Sequence, residues 1–434
     1  VKETIPEKVE KMDDGKRNVF YGWVVVTSVC VILFLAFGSV YSFTTFFESF
    51  QAEFNASRSS ISLVFAIAGF IYFGLGALSG QIADRMNSRW VIAFGVLVIS
   101  LGLLFSSFAV TVKQIYLFYG LGVGIGVGFT YVPAVGTVQR WFVAQRGLAS
   151  GIAVMGIGLG TLGMPAFSAF LIHWSDWRTA YMVMSACVFV CGMVAAILIS
   201  DSPKEMGLLP DGEPAQKPGT IHLRKNILEE PQPAEGELTV RDVLKTQPFW
   251  LLYAGTFSAS IGVFIPFVHL MPFSKDLGLT TSTGVFLLGL IGAGSTVGRF
   301  LIGGAADRLG RRRSLACMYA VMAAIFGWWL VSSRVWELAL LASIFGLCYG
   351  GFVALLPAVT ADYFSGSNIS GILGALYTSV ACGNLLGPTF AGYMFDLRQS
   401  YVIPIVMSIL AAIIASVCTL FLEKPESWRK NFFQ

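Results

Sequence analysis

Apolar runs of about 20 residues, the length that carries a helix across the hydrocarbon core of a bilayer, recur along almost the whole chain. Twelve of them fall at about 20–46, 58–80, 90–109, 113–137, 146–171, 178–199, 247–272, 283–304, 314–333, 336–359, 368–393 and 400–422. Each predicts a membrane-spanning helix, so the expected fold is an all-α integral membrane protein with 12 transmembrane helices in two six-helix bundles. The polar intervals are short except one. Residues 200–246 carry Pro203, Pro210, Pro214, Pro218, Pro231 and Pro233 among many charges and few large apolar side chains. Such a stretch lacks the apolar surface to fold alone and reads as a linker, with Gly236–Lys245 expected as a short amphipathic helix at the membrane surface. The plan is therefore a tail at 1–17, a first bundle at 18–200, the linker at 201–246, a second bundle at 247–423 and a tail at 424–434.

Composition agrees with this. Of the 434 residues 55% are hydrophobic and only 12% charged, against roughly a quarter charged in soluble proteins. Of the 29 lysines and arginines, 22 lie in the termini and the even-numbered loops; the odd-numbered loops hold Arg58, Lys113, Arg178, Lys275, Arg334 and Arg398. The excess of basic residues marks the cytoplasmic side, so both termini are expected there. Residues 1–17 lack the apolar core of a cleaved leader. The net charge of +4 reflects these loops and implies no nucleic-acid partner. All seven cysteines sit inside apolar runs without metal-ligand spacing, which predicts reduced, buried thiols and neither metal nor cofactor. No span pairs a nucleophile with a base, so an enzyme is not expected.

One basic residue belongs to neither set of loops. Arg299 lies within Leu287–Ile302, a segment otherwise apolar enough for lipid. A guanidinium keeps its charge there, and at the bilayer centre it costs roughly 2.5–3.5 kcal/mol even on the lenient insertion scale. Such a residue normally faces a bundle interior and marks a substrate path, so Arg299 is the candidate anion-binding centre of a transporter. It precedes Asp307, near the cytoplasmic boundary, by eight residues, about 12 Å of helix, which sets it near mid-membrane.

The two bundles share an internal repeat. After the second span the chain reads Gly80–Gln81–Ile82–Ala83–Asp84–Arg85–Met86–Asn87, and after the eighth Gly303–Gly304–Ala305–Ala306–Asp307–Arg308–Leu309–Gly310 followed by Arg311 to Arg313. The Asp84–Arg85 and Asp307–Arg308 pairs are candidate gating motifs, with Asn87 and Gly310 expected to make left-handed turns out of their helices. The second copy resembles the loop signature of the major facilitator superfamily at every position. Asn87 and Trp90 depart from it in the first. Within that superfamily the chain resembles the monocarboxylate transporter family and its bacterial members. Arg140 to Ala153 is similar to that family's junction of the fourth and fifth spans, Ile265 to Leu270 resembles bacterial members, and Gly298–Arg299–Phe300 stands where the family keeps its carboxylate-binding arginine.

The resemblance implies a multi-pass protein of a bacterial inner membrane, acting as a monomer, that moves short monocarboxylates such as lactate or pyruvate by alternating access, with a coupled proton. A related dicarboxylate branch uses a lysine where Ser379 stands, so one fixed cation here argues for one carboxylate. Tyr131, Phe129, Tyr349, Phe352, Tyr377 and Asn384 are candidates for the rest of the pocket, with Ser295 one turn before the arginine. Eukaryotic members carry an aspartate at that position and a lysine in the first span; this chain has Ser295 and no such lysine. His269 is therefore the titratable candidate for proton coupling, in the outer third of the membrane beside a kink at Pro266. Carboxylate exchange of the oxalate and formate type, and a non-transporting solute receptor on a transporter scaffold, are the alternatives. Glycines at four-residue spacing in spans four and five, and Pro133, Pro165, Pro357 and Pro388, are expected to allow close packing and paired bends.

Overall fold

The computed structural model describes residues 20–142, 145–212, 240–364 and 369–423. Within them the chain forms twelve long helices. The first half holds α1 (Tyr21–Phe54), α2 (Arg58–Arg85), α3 (Ser88–Ser107), α4 (Val112–Trp141), α5 (Arg146–Trp174) and α6 (Trp177–Leu198). The second half holds α7 (Gln247–Asp276), α8 (Thr281–Leu309), α9 (Arg311–Val331), α10 (Val335–Tyr363), α11 (Ile369–Arg398) and α12 (Val402–Leu420). Among the described residues eleven are both long and apolar enough to cross a membrane. The exception, α11, has the length at 30 residues, but Tyr377, Thr378, Ser379 and Asn384 dilute its middle.

Large apolar side chains face outwards as well as inwards. Phe94, Leu97, Leu101 and Phe105 on α3, and Leu410, Ile413, Ile414 and Val417 on α12, are exposed at helical spacing. A belt of this kind suits lipid and would associate in water.

Three helices are not regular throughout. The α1 helix tightens to 3₁₀ geometry over Ser42–Phe46, where Ser42 and Thr45 hydroxyls bond back to the carbonyls of Ser39 and Ser42 and compete with the α pattern. In α7 the regular helix breaks at Phe264, because Pro266 cannot donate to the preceding turn. The α4 helix widens to π geometry over Tyr116–Val123. Pro133, Pro165, Pro357 and Pro388 lie inside α4, α5, α10 and α11, at matching places in the two halves.

Glycine sets how closely the helices approach. In α4, Gly120, Gly124 and Gly128 face α2, while Gly122 and Gly126 face α3; a Cβ at Gly126 would lie 2.6 Å from the Gly95 carbonyl oxygen. Gly156 and Gly160 of α5 bring its backbone against α1 at Cys30 and Phe34. The halves meet along two main seams, α2 with α11 and α5 with α8.

Chain topology puts Phe20 and Glu423 at one end of the bundle, the near end; the α1–α2, α7–α8 and α11–α12 turns lie at the far end. There the halves are tied by ion pairs. Arg58 meets Asp276 at 2.6 Å, and Lys275 pairs with Glu48.

The motif copies close α2 and α8. Gly310 turns with φ at 91°, a conformation that favours glycine. Asn87 does not make the expected left-handed turn: its φ is −65°, and its side chain caps α3 by accepting from the Arg89 amide. An asparagine that begins the next helix removes the need for a left-handed residue. Arg85 and Arg308 are exposed at their helix ends; the side chains of Asp84 and Asp307 lie outside the described residues, as do the tails at 1–17 and 424–434. Within the linker, Pro203–Met206 and Pro210–Gly212 form short turns. Of the expected amphipathic helix residues 240–245 fall among the described ones, and they are helical only over Val240–Val243.

Candidate functional site

Arg299 is aimed by its own helix. On the neighbouring face of α8, Gly294 and Gly298 press against α10 so closely that a Cβ at Gly298 would lie 2.1 Å from the Leu347 carbonyl oxygen. That contact turns Arg299 to the interface between the halves. Its Nη1 donates to the Val154 carbonyl on α5 at 2.5 Å. Its Nε and Nη2 are buried and have no hydrogen-bond partner among the described residues, nor does a described acid pair with it. These two nitrogens form the side-on edge of the guanidinium, a parallel pair of donors that a carboxylate can accept bidentately. Buried donors normally have partners, so an unfilled fork beside a cavity calls for an acceptor.

The cavity beside it is narrow, with about 30 Å³ open to the centre of a water-sized sphere, room for a water or two. Tyr131 from α4, Tyr349 and Phe352 from α10 and Tyr377 from α11 share its wall with Arg299. The first half adds Phe37, Phe73 and Ile157, and the α7 break adds Phe264. The site is thus one cation in an aromatic chamber. On the far side it is roofed by a cross-half contact, the Tyr41 and Tyr349 hydroxyls 2.6 Å apart, with the Tyr41 ring stacked on Phe267 at 4.6 Å.

Several expected residues lie elsewhere. Ser295 is buried one turn from Arg299, but it is not on the cavity wall; its backbone meets Gly350 of α10, and its hydroxyl has no partner among the described residues. The same four-residue step that repeats on an ideal helix leads here into a helix contact. Asn384 also lies off the wall. Its Nδ2 donates to the Ala66 carbonyl at 3.2 Å, and Gly69 leaves room for it, so it fastens α11 to α2. Phe129 turns the other way, edge-on to Phe94 of α3 at 5.4 Å.

His269 is buried at the far-end seam rather than in the cavity. Its Nε2 lies 2.9 Å from the Pro388 carbonyl and 3.1 Å from Ser62 Oγ; its Nδ1 lies 3.1 Å from Tyr401 Oη. A carbonyl only accepts, so Nε2 carries the hydrogen and Nδ1 accepts from the tyrosine. Tyr401 in turn accepts from Arg58 Nη1 at 2.6 Å. The pattern suits a neutral imidazole.

Sequence reasoning missed Phe37, Phe73, Phe264 and Tyr41, because an aromatic in an apolar span looks like any core residue. It also missed the far-end cluster of Arg58, Asp276, Asp396 and Tyr401. Arg58 carried a signal, charge at the end of a span, which served only to orient the chain; Asp276, Asp396 and Tyr401 were not singled out.

Comparison with known proteins places this geometry in a family. The model of the Major Facilitator Superfamily matches residues 29–304 and 293–434. Monocarboxylate transporter 12-B of Danio rerio is 27% identical over 412 residues, covering 92% of this chain and 86% of the relative. Human monocarboxylate transporter 2 is 24% identical over 393 residues, covering 88% and 81%. Among solved structures, a bacterial homologue of the human lysosomal transporter Spinster, inward-facing and unoccupied, superposes with a TM-score of 0.71 at 18% identity, covering 94% of this chain and 98% of that one. At that identity the likeness concerns the fold.

Proposed function

Because the chain belongs to the major facilitator superfamily, we propose that it is a secondary transporter of short monocarboxylates, of the lactate and pyruvate type, working by alternating access with a coupled proton. The observation that carries this reading is the unfilled Nε and Nη2 edge of Arg299 beside an aromatic-lined cavity. A single fixed cation matches a single carboxylate, and the aromatic wall suits a small apolar body. The similar proteins named monocarboxylate transporters support the same substrate class.

The distribution of basic residues supports cytoplasmic termini in a bacterial inner membrane, which makes the far end the outer mouth. In that orientation the ion pairs close the outside, and substrate leaves the cavity inwards. The transporter works as a monomer, its two halves supplying both sides of the path. We assign His269 the role of proton sensor at the outer mouth. A proton on Nδ1 would displace the hydrogen bond from Tyr401, so protonation opposes closure and an acid exterior favours the loading state.

Uptake of labelled lactate or pyruvate into proteoliposomes, with and without an inward acid gradient, tests the reading. The parent protein is expected to accumulate label, faster with the gradient. Arg299→Ala and Arg299→Lys are expected to be nearly inactive, since lysine keeps the charge but loses the fork. Uptake by Arg299→Ala equal to the parent's would refute the site; label that moves only against a carboxylate-loaded interior would make the protein an exchanger; binding without movement would make it a receptor.

A further inference from the structure

The α11 helix turns one stripe towards the first half and α7: Asn384, Pro388, Gly392 and Asp396, at four-residue spacing. Every member makes a defined contact. Asn384 bonds the Ala66 carbonyl of α2, and the Pro388 carbonyl receives His269. Gly392 lies so close to α2 that a Cβ there would sit 2.7 Å from Ser59 Cα and 2.8 Å from the Arg58 carbonyl carbon. Asp396, one turn further, accepts the backbone amides of Arg58 and Ser59, each at 2.9 Å and each on a separate carboxylate oxygen.

We infer that Asp396 is a positioning residue of the transport cycle: by capping the amino end of α2 from the opposite half, it holds the far mouth shut. This inference rests on the alternating-access reading above. The first amides of a helix have no partner within it, and they carry the positive end of its dipole. In α2, Ser57 Oγ serves the Ser60 amide from the same half, while the two amides before it are served by Asp396 alone among the described contacts. A charged acceptor from α11 reaches them only when the halves touch at this end. Separation returns both amides and the carboxylate to water, which has room there because the site is at the mouth. Gly392 is the condition for that reach, since any side chain would hold α11 off α2 by its own width.

The neighbouring charges arrange themselves around the same cap. The Arg58 guanidinium forks onto Asp276 at 2.6 and 2.7 Å, accepts the Phe395 ring 3.7 Å below it and reaches Tyr401. Its side chain is therefore spent on α7, α11 and the turn before α12, and its amide on Asp396. A single residue at the start of α2 is gripped by α7, α11 and the α11–α12 turn of the other half.

Hydrogen exchange of the purified protein, followed by mass spectrometry of peptides from residues 57–66 and 297–310, tests the inference in the parent, in Asp396→Asn and in Gly392→Ala. In both variants the far-end peptide is expected to exchange about tenfold faster or more, as befits loss of charge-assisted bonds. The near-end peptide is expected to slow, because opening one mouth closes the other. Unchanged exchange at 57–66 would overturn the proposal, and so would faster exchange at both ends, which is general loosening. If Asp396→Asn does not fold, Gly392→Ala alone decides by the same two peptides. The readout needs no substrate, so a parent that moves no carboxylate but shows the reciprocal change would lose its proposed cargo and keep this closure.

Discussion

The two seams between the halves occupy equivalent places in the internal repeat, α2 against α11 and α8 against α5, yet they are made of different materials. The α2–α11 seam is polar: Asn384 sits on the Ala66 carbonyl and Asp396 on two amides, and beside them His269 of α7 meets Ser62 of α2. The α5–α8 seam is mostly glycine, with Gly158 and Gly292 in mutual contact and Thr296 beside them. Arg299 crosses it to the Val154 carbonyl. The difference follows from what happens when a seam parts. Helix backbones in contact through glycine already have their amides bonded internally, so separation forfeits dispersion only. Side-chain hydrogen bonds leave donors and acceptors that water must refill, and these gather towards the mouth. Among the described residues of the dry seam the strongly polar group is the arginine, and on the proposed reading a ligand refills it instead of water.

The harshest way to break this contrast is to empty the dry seam of its charge. Arg299→Ala is expected to lower carboxylate uptake at least about a hundredfold, the scale of truncating one partner of a buried charge-assisted pair. The protein should remain folded, because removing an unfilled buried fork relieves a cost. Initial rates in proteoliposomes and a thermal unfolding curve give the two readings together.

A second comparison uses the same substitution on each seam. Gly292→Ala places a Cβ 2.6 Å from the Leu162 amide and 2.8 Å from the Gly158 carbonyl oxygen, both backbone atoms that cannot move singly. Overpacking of this kind costs about 1–3 kcal/mol. Gly69→Ala places its Cβ 1.8 Å from Asn384 Nδ2, but a side chain can swing away, at the cost of its bond to Ala66. Thermal stability in detergent should therefore fall further for Gly292→Ala. The reverse order would mean that the glycine seam is the looser of the two.

The seams also mark how far the sequence could be read. Span count, the internal repeat and the depth of Arg299 depend on local hydropathy and on distance along one helix, and both survive folding unchanged. Which polar residues meet depends on contacts between segments more than 300 residues apart, as Arg58 with Asp396 and Tyr41 with Tyr349 show. No periodicity encodes that. Ser295 shows the same limit at short range: its helix spacing to Arg299 was legible, but the approach of α10 through Gly350 was not. His269 was legible as a titratable group near the α7 break, and only the fold sets it against Tyr401 and Pro388 instead of the cavity.

On the polar seam, His269→Gln should remove a few-fold stimulation of uptake by an inward acid gradient while leaving carboxylate exchange at equal pH in place. Glutamine can still donate to the Pro388 carbonyl and accept from Tyr401, but it does not titrate. Gradient stimulation that persists in this variant would take His269 out of the proton pathway.

The gentlest test lies between the seams, where the Tyr41 and Tyr349 hydroxyls meet. Phenylalanine at either position keeps the ring and removes one buried hydrogen bond, worth about 1 kcal/mol or roughly a fivefold shift in an equilibrium. The two positions are not equivalent. Tyr349 is on the cavity wall and Tyr41 is not, so in Tyr41→Phe the freed Tyr349 hydroxyl can turn to water or to a bound carboxylate. In Tyr349→Phe the Tyr41 hydroxyl is left buried beside Phe267 and Phe37. Thermal unfolding should therefore show the larger loss for Tyr349→Phe, and the double variant should be no worse than Tyr349→Phe alone, because the second change deletes an already orphaned hydroxyl. KM for the labelled acid should stay within about twofold in Tyr41→Phe, since a hydroxyl bond of about 1 kcal/mol is replaced and not lost. Additive losses in the double variant would mean that the two hydroxyls do not depend on each other, and the roof over the cavity would then be held by its stacked rings alone.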